Sequence, residues 1–91
     1  MSKNLVFIIL QDTEDARPFI EAFEQENSEA TVDYQPGIVR IEAHGALGIT
    51  QDKVSEIAGE DVDLQTLHLV LVSLAGNVDE DDDYFRLSWN S

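Results

Sequence analysis

The chain has no cysteine. That absence excludes disulfides, thiol catalysis, iron–sulfur clusters and zinc–thiolate centres. Basic residues are scarce: five Lys and Arg stand against 19 Asp and Glu, a formal net charge of −14. Nucleic-acid binding needs Lys and Arg to neutralise phosphates, and anionic membranes attract the same residues. Neither partner suits this chain. No apolar run reaches the roughly 20 residues that span a bilayer. The start, Met1-Ser2-Lys3-Asn4, has one basic residue and no cleavage-site pattern. The reading is therefore a cytoplasmic protein without a signal peptide. There is no Gly-rich phosphate loop. The two histidines, His44 and His68, form no ligand cluster, and no spacing suggests a nucleophile–base pair.

What is present suits one small folded unit. The 91 residues leave no room for a second core, so residues 1–91 read as a single domain. Apolar residues make up 43% of the chain, enough to build a core. Leu5 to Leu10 is a continuous apolar, β-branched run and predicts a buried strand. Asp12, Thr13 and Asp15 are candidate N-caps for a helix with Pro18 in its first turn. Ala16, Phe19, Ile20 and Phe23 form its i, i+3, i+4, i+7 stripe, and the helix ends near Asn27. Thr31 to Gln35 predicts a strand, broken by Pro36-Gly37. Ile38 to Ala43 predicts another, with Ile38 and Arg40 on one face and Val39 and Ile41 on the other. His44 to Gly48 reads as a tight connection. Thr50 caps a short helix over 51–58, closed by Gly59. Glu60 to Asp63 reads as a polar linker.

The C-terminal third carries the strongest pattern. From Leu64 an apolar run predicts a strand with Leu67, Leu69 and Leu71 on one face and His68, Val70, Val72 and Leu74 on the other. A strand apolar on both faces is covered on both faces, which makes it the central strand. An acidic turn, Asp79 to Asp83, leads to a shorter return strand. That strand puts Phe85, Leu87 and Trp89 on one face and could close a sheet edge. The order is strand, helix, strands, short helix, two strands. It predicts an α+β domain with a mixed or antiparallel sheet and about two helices packed on it.

The acidic turn invites a calcium reading, since Asp79, Asp81 and Asp83 alternate. However, an EF-hand loop needs Gly at its sixth position and Glu at its twelfth. Those places hold Tyr84 and Asn90, and no helix flanks the loop. A solvated turn and a docking patch for a basic partner are the other readings. His68 reads as a hydrogen-bonded core or partner-facing residue, and Ser73 to Asn77 as a bulge or strand end. From residue chemistry alone the chain is a small acidic binding module without a cofactor. A stand-alone inhibitor of basic proteins, or nucleic-acid mimic, fits that description as well.

The run from Leu67 to Asp83, followed by Leu87-Ser88-Trp89, resembles the C-terminal half of the phenol hydroxylase activator component. Leu10 to Asp12, the helix ending at Asn27, Ala30 to Val32, and Pro36 to Ile41 with Arg40-Ile41 are similar to the same family. These are the regulatory, effector or coupling proteins of soluble multicomponent diiron monooxygenases. The resemblance implies a non-catalytic protein carrying no metal, flavin or haem. It implies binding to the diiron hydroxylase oligomer over the helical bundle that holds the metal centre, alongside a reductase that uses NADH. The segment facing the hydroxylase would be Leu71, Ser73, Leu74, Ala75, Gly76 and Asn77, with Arg40 and His68 as further contacts. Polar relatives carry Ser or Thr where this chain has Leu74 and Ala75.

Overall fold

The computed structural model describes residues 4–89. Met1 to Lys3, and Asn90 at the twelfth place of the calcium reading, lie outside them. The apolar run near the start forms β1 (Leu5–Gln11), in which Val6, Ile8 and Leu10 are buried and the alternate side chains are half-buried. α1 (Arg17–Glu26) follows. Its apolar stripe is buried as its spacing predicts: Ala16, Phe19, Ile20 and Phe23 all enter the core. Its start corrects the expected caps. Ala16 occupies the N-cap position with no side-chain cap, and Thr13 instead closes the preceding turn by accepting from the Ala16 N–H at 3.3 Å. Pro18 sits in the first turn, where its missing N–H leaves no intrahelical bond unmade.

β2 (Thr31–Gln35) and β3 (Ile38–His44) form a hairpin around Pro36-Gly37. Val39 and Ile41 face the core while Ile38 and Arg40 face away, as the alternation predicts. The stretch 44–48 is not a simple connection. Only Gly45 turns, at φ 93°, and Ala46–Thr50 forms a strand, β4. α2 (Gln51–Ala58) starts where Thr50 accepts from the Lys53 N–H and ends at Gly59 in the left-handed conformation.

The C-terminal third departs most from expectation. Leu64–Thr66 is a 3-10 turn and Leu67–Val70 a helical turn, α3. Asp63 caps the pair by accepting from the Gln65 N–H at 3.0 Å. Leu64, Leu67 and Val70 point to the core at a helical spacing of three, and Leu69 is left outside. The strand proper, β5, is only Leu71–Ala75. It lies at an edge, because the first sheet runs β2-β3-β1-β5 and its inner strands are β3 and β1. β6 (Asn77–Glu80) and β7 (Tyr84–Ser88) follow. The second sheet runs β4-β7-β6, so the return strand is central there, not an edge. Phe85 and Leu87 are buried as predicted, but Trp89 lies past the strand end and is exposed. Every strand pairing is antiparallel.

Two strands pass from one sheet to the other at glycine. β3 becomes β4 at Gly45, and β5 becomes β6 at Gly76, whose φ is 135°. The first corner is fastened twice: the Gly45 N–H donates to Asn4 at 2.7 Å and its carbonyl accepts from Trp89 at 2.8 Å. The inner faces of both sheets and the helices close over one shared core, from Val6 to Leu87. Burying a side chain such as Phe23 or Phe85 contributes about 2–3 kcal/mol each. The domain is thus α+β, with two antiparallel sheets where one mixed or antiparallel sheet was expected. No described helix is long and apolar enough to cross a membrane.

Candidate functional site

Among the described residues the outer face of the first sheet is only half-buried or exposed, and its register gathers residues that are far apart in sequence. Ile9 pairs with Arg40 on one side and with Ser73 on the other. Paired residues in a ladder share a face. Arg40, Ile9 and Ser73 therefore form one row across three strands. The neighbouring row is Glu42, Phe7 and Ala75. Arg40 stacks over the Phe7 ring at 4.1 Å and donates from Nε to Glu42 at 2.9 Å. Its charge is held in the middle of a half-buried apolar surface. Of the residues singled out from the sequence, Arg40, Ser73 and Ala75 thus come together.

Leu71 and Leu74 do not join them. They pair with the buried Leu10 and Ile8 and pack against the core. Between Leu71 and Ser73 the strand bulges, and Val72 is the extra residue. Gly76 makes the corner, with Leu87 and the Ser88 carbonyl directly beneath it. Asn77 begins β6 on an exposed face, and its amide donates to the Trp89 carbonyl at 3.4 Å. His68 shares no face with Val70 and Val72, because it lies on a helical turn. It is exposed, its Nε2 lies 2.8 Å from Glu80, and the ring meets Phe85 edge-on at 6.3 Å. His44 is exposed at the end of β3, as a turn-side residue should be.

The acidic run is less uniform than the sequence suggests. Asp79 and Glu80 belong to β6, and only Asp81 to Asp83 form the turn. Asp79 accepts from the Tyr84 hydroxyl at 3.1 Å. That bond, together with the Asp79 and Asp81 charges, raises the Tyr84 phenol above its ordinary value. Asp81 accepts from the Asp82 N–H at 2.7 Å. Among the described residues no three His, Asp or Glu side chains converge as a metal site. The arrangement offers neither a nucleophile with a base nor a ligand set. What it offers is surface.

Sequence reasoning missed Leu69 and Val72, which are 77% and 52% exposed. The available signal was Asp63 capping a Leu64/Leu67/Val70 spacing of three, which turns Leu69 outward. It also missed Phe7 and Ile9, whose place on an open face depends on strand order.

The MmoB/DmpM family model matches residues 4–88. The chain is 41% identical over 88 residues to the phenol 2-monooxygenase stimulatory component DmpM of Pseudomonas sp. strain CF600, covering 97% of this chain and 98% of that protein. A chain in a solved phenol hydroxylase–regulatory protein complex superposes with TM-score 0.89 at 44% identity, covering 94% of this chain and 99% of that one. The soluble methane monooxygenase regulatory protein B shares the fold, with TM-score 0.73 at 19% identity, over 96% of this chain and 66% of that one.

Proposed function

This chain belongs to the MmoB/DmpM family, and from that premise we propose that it is the non-catalytic regulatory component of a phenol hydroxylase-type monooxygenase. It binds the diiron hydroxylase component in the cytoplasm and stimulates hydroxylation of an aromatic substrate, with a reductase supplying electrons from NADH. The observation that carries this reading is the 41% identity to a stimulatory component over nearly the whole chain, together with the superposition on a chain of a hydroxylase complex.

The mechanism is a matter of differential binding. A regulator without a cofactor changes its partner only by binding one conformation more tightly than another, and coupling of this kind is about 1–3 kcal/mol. The surface that supports it is the open face and edge of the first sheet: Arg40, Ser73 and Ala75, continued past the Gly76 corner to Asn77. Leu71 and Leu74 hold that strand on the core from beneath. His68 is held instead against Glu80 and Phe85 of the second sheet.

The test is a titration of the chain into purified hydroxylase and reductase, following product formed and NADH consumed. Product rises to saturation and the ratio of product to NADH improves. The reading fails if neither changes while the same hydroxylase responds to its own regulator.

A further inference from the structure

Where the α3 turn runs into β5, next to that surface in the chain, we infer that Leu69 and Val72 are the anchors that seat the protein on the hydroxylase, and that they meet an apolar patch bordered by basic residues. The inference rests on the proposed function and refines it: the leucines of the strand are not the contacts.

Three observations lead there. The first is charge. In a chain that is 26% charged, none of residues 64–78 is Asp, Glu, Lys or Arg, and this is the longest such run. Acids close it at both ends, with Asp61 and Asp63 before it and Asp79 to Asp83 after it. A partner complementary to this pattern is apolar at the centre and basic at the rim.

The second is the handling of sheet edges, which exposed strands must protect from other chains. β4 is covered by Asn27 and Glu26, whose side chains bond the Gly48 and Thr50 backbone. β6 carries Asp79 and Glu80, and β2 carries Asp33. β5 has neither charge nor proline, but it has the bulge at Val72. A bulge interrupts the ladder that an added strand needs. This edge is therefore closed to a strand and open to apolar side chains.

The third is exposure. Leu71 and Leu74 turn to the core, whereas Leu69 stands on the α3 turn and Val72 at the bulge. Leu69 also lines an open groove of 480 Å³ with Pro18, Phe19 and Val62. Exposed apolar surface rimmed by polar residues marks sites where partners bind.

The experiment measures binding of the full chain to purified hydroxylase by calorimetry for the wild type, Leu69→Ala, Val72→Thr, the double variant and Tyr34→Ala. Tyr34, on the opposite edge strand, is about as exposed as Val72, at 49% against 52%. Each anchor variant weakens binding about tenfold or more, and the double variant weakens it further. Tyr34→Ala stays within about twofold. Amide exchange on the wild type adds a readout that needs no variant: Leu69 to Ala75 slows on adding hydroxylase, and Val32 to Tyr34 does not. Wild-type binding with unchanged anchor variants, or with no slowing at Leu69 to Ala75, overturns the inference and leaves the regulatory reading standing. No wild-type binding overturns the regulatory reading itself. A homodimer dissolved by the same substitutions, with hydroxylase binding intact, assigns the strip to a second copy and overturns the inference as well.

Discussion

The side-chain amide of Asn27 does for Gly48 what a neighbouring strand would do. Its Oδ1 accepts from the Gly48 N–H at 3.0 Å, and its Nδ2 donates to the Gly48 carbonyl at 2.8 Å. The same Nδ2 donates to the Phe23 carbonyl at 2.8 Å, which satisfies the last turn of α1. One residue thus ends the helix and covers the β4 edge. Asn27→Ala leaves three partly buried backbone groups without partners, and each orphan costs about 1 kcal/mol or more. The expected loss is about 2–3 kcal/mol, a fall of roughly 10 °C or more in Tm for a domain of this size. Thermal unfolding followed by circular dichroism checks it. A Tm within experimental error of the wild type would remove Asn27 from the account of the β4 edge.

The two glycine corners are not equivalent. A Cβ on Gly76 would meet the Leu87 side chain and the Ser88 carbonyl at 3.0 Å, whereas one on Gly45 meets nothing within 4 Å. Both residues have positive φ, so alanine carries a conformational cost of about 1–2 kcal/mol at either position. Gly76→Ala adds a clash with backbone and with a fully buried leucine. It is expected to destabilise by about 3 kcal/mol or more, with Gly45→Ala near the lower figure. Urea unfolding of the two variants decides the order. Equal losses would mean that the Leu87 contact relaxes freely.

How much of this was legible in the sequence depended on which period dominated. β1, α1, β2, β3 and α2 announce themselves, because their apolar spacing and their punctuation agree: Pro18 opens a helix and Gly59 closes one. The run from Leu64 to Leu74 satisfies two periods at once. Alternating leucine and valine suggests a strand, while Asp63 with Leu64, Leu67 and Val70 makes a capped helical turn. The cap and the buried spacing of three prevailed, and with them went the central strand and the placement of His68. β4 was missed because Ala46 to Gly48 looks like turn composition, and its pairing with β7 is a long-range fact. Arg40 and Ser73 were both picked from the sequence, but their shared row required knowing that β1 lies between them.

The phenol of Tyr84 offers a direct test of the acidic turn. Its hydroxyl donates to Asp79, whose charge, with that of Asp81, disfavours the phenolate. The folded chain therefore holds this proton more tightly than the unfolded chain does. The resulting stability is fully present below the ordinary value near 10 and is lost as pH rises through the folded value. Tyr34→Phe leaves Tyr84 as the only tyrosine, so its ionisation can be read from ultraviolet absorbance. The midpoint lies above 10, and adding Asp79→Asn brings it down. A midpoint insensitive to Asp79 would contradict the hydrogen bond.

The net charge of −14 predicts how the protein reaches its partner, if that partner presents a basic rim. Long-range attraction accelerates encounter more than it deepens the final complex. It also fades as added salt shortens the Debye length from about 10 Å at 0.1 M toward 3 Å at 1 M. At regulator concentrations below saturation, stimulation of the hydroxylase should fall with added salt through a slower association rate. The dissociation rate, set by Leu69, Val72 and the open sheet face, should move little. Neutralising Asp81, Asp82 and Asp83 to Asn should flatten the salt dependence without lowering stimulation at saturation, because these turn carboxylates lie beyond the apolar strip. Stopped-flow association measured across a salt series separates the two rates. Association that ignores salt in the wild type would leave the acidic surface with solubility as its only role, and the apolar strip would have to account for recognition alone.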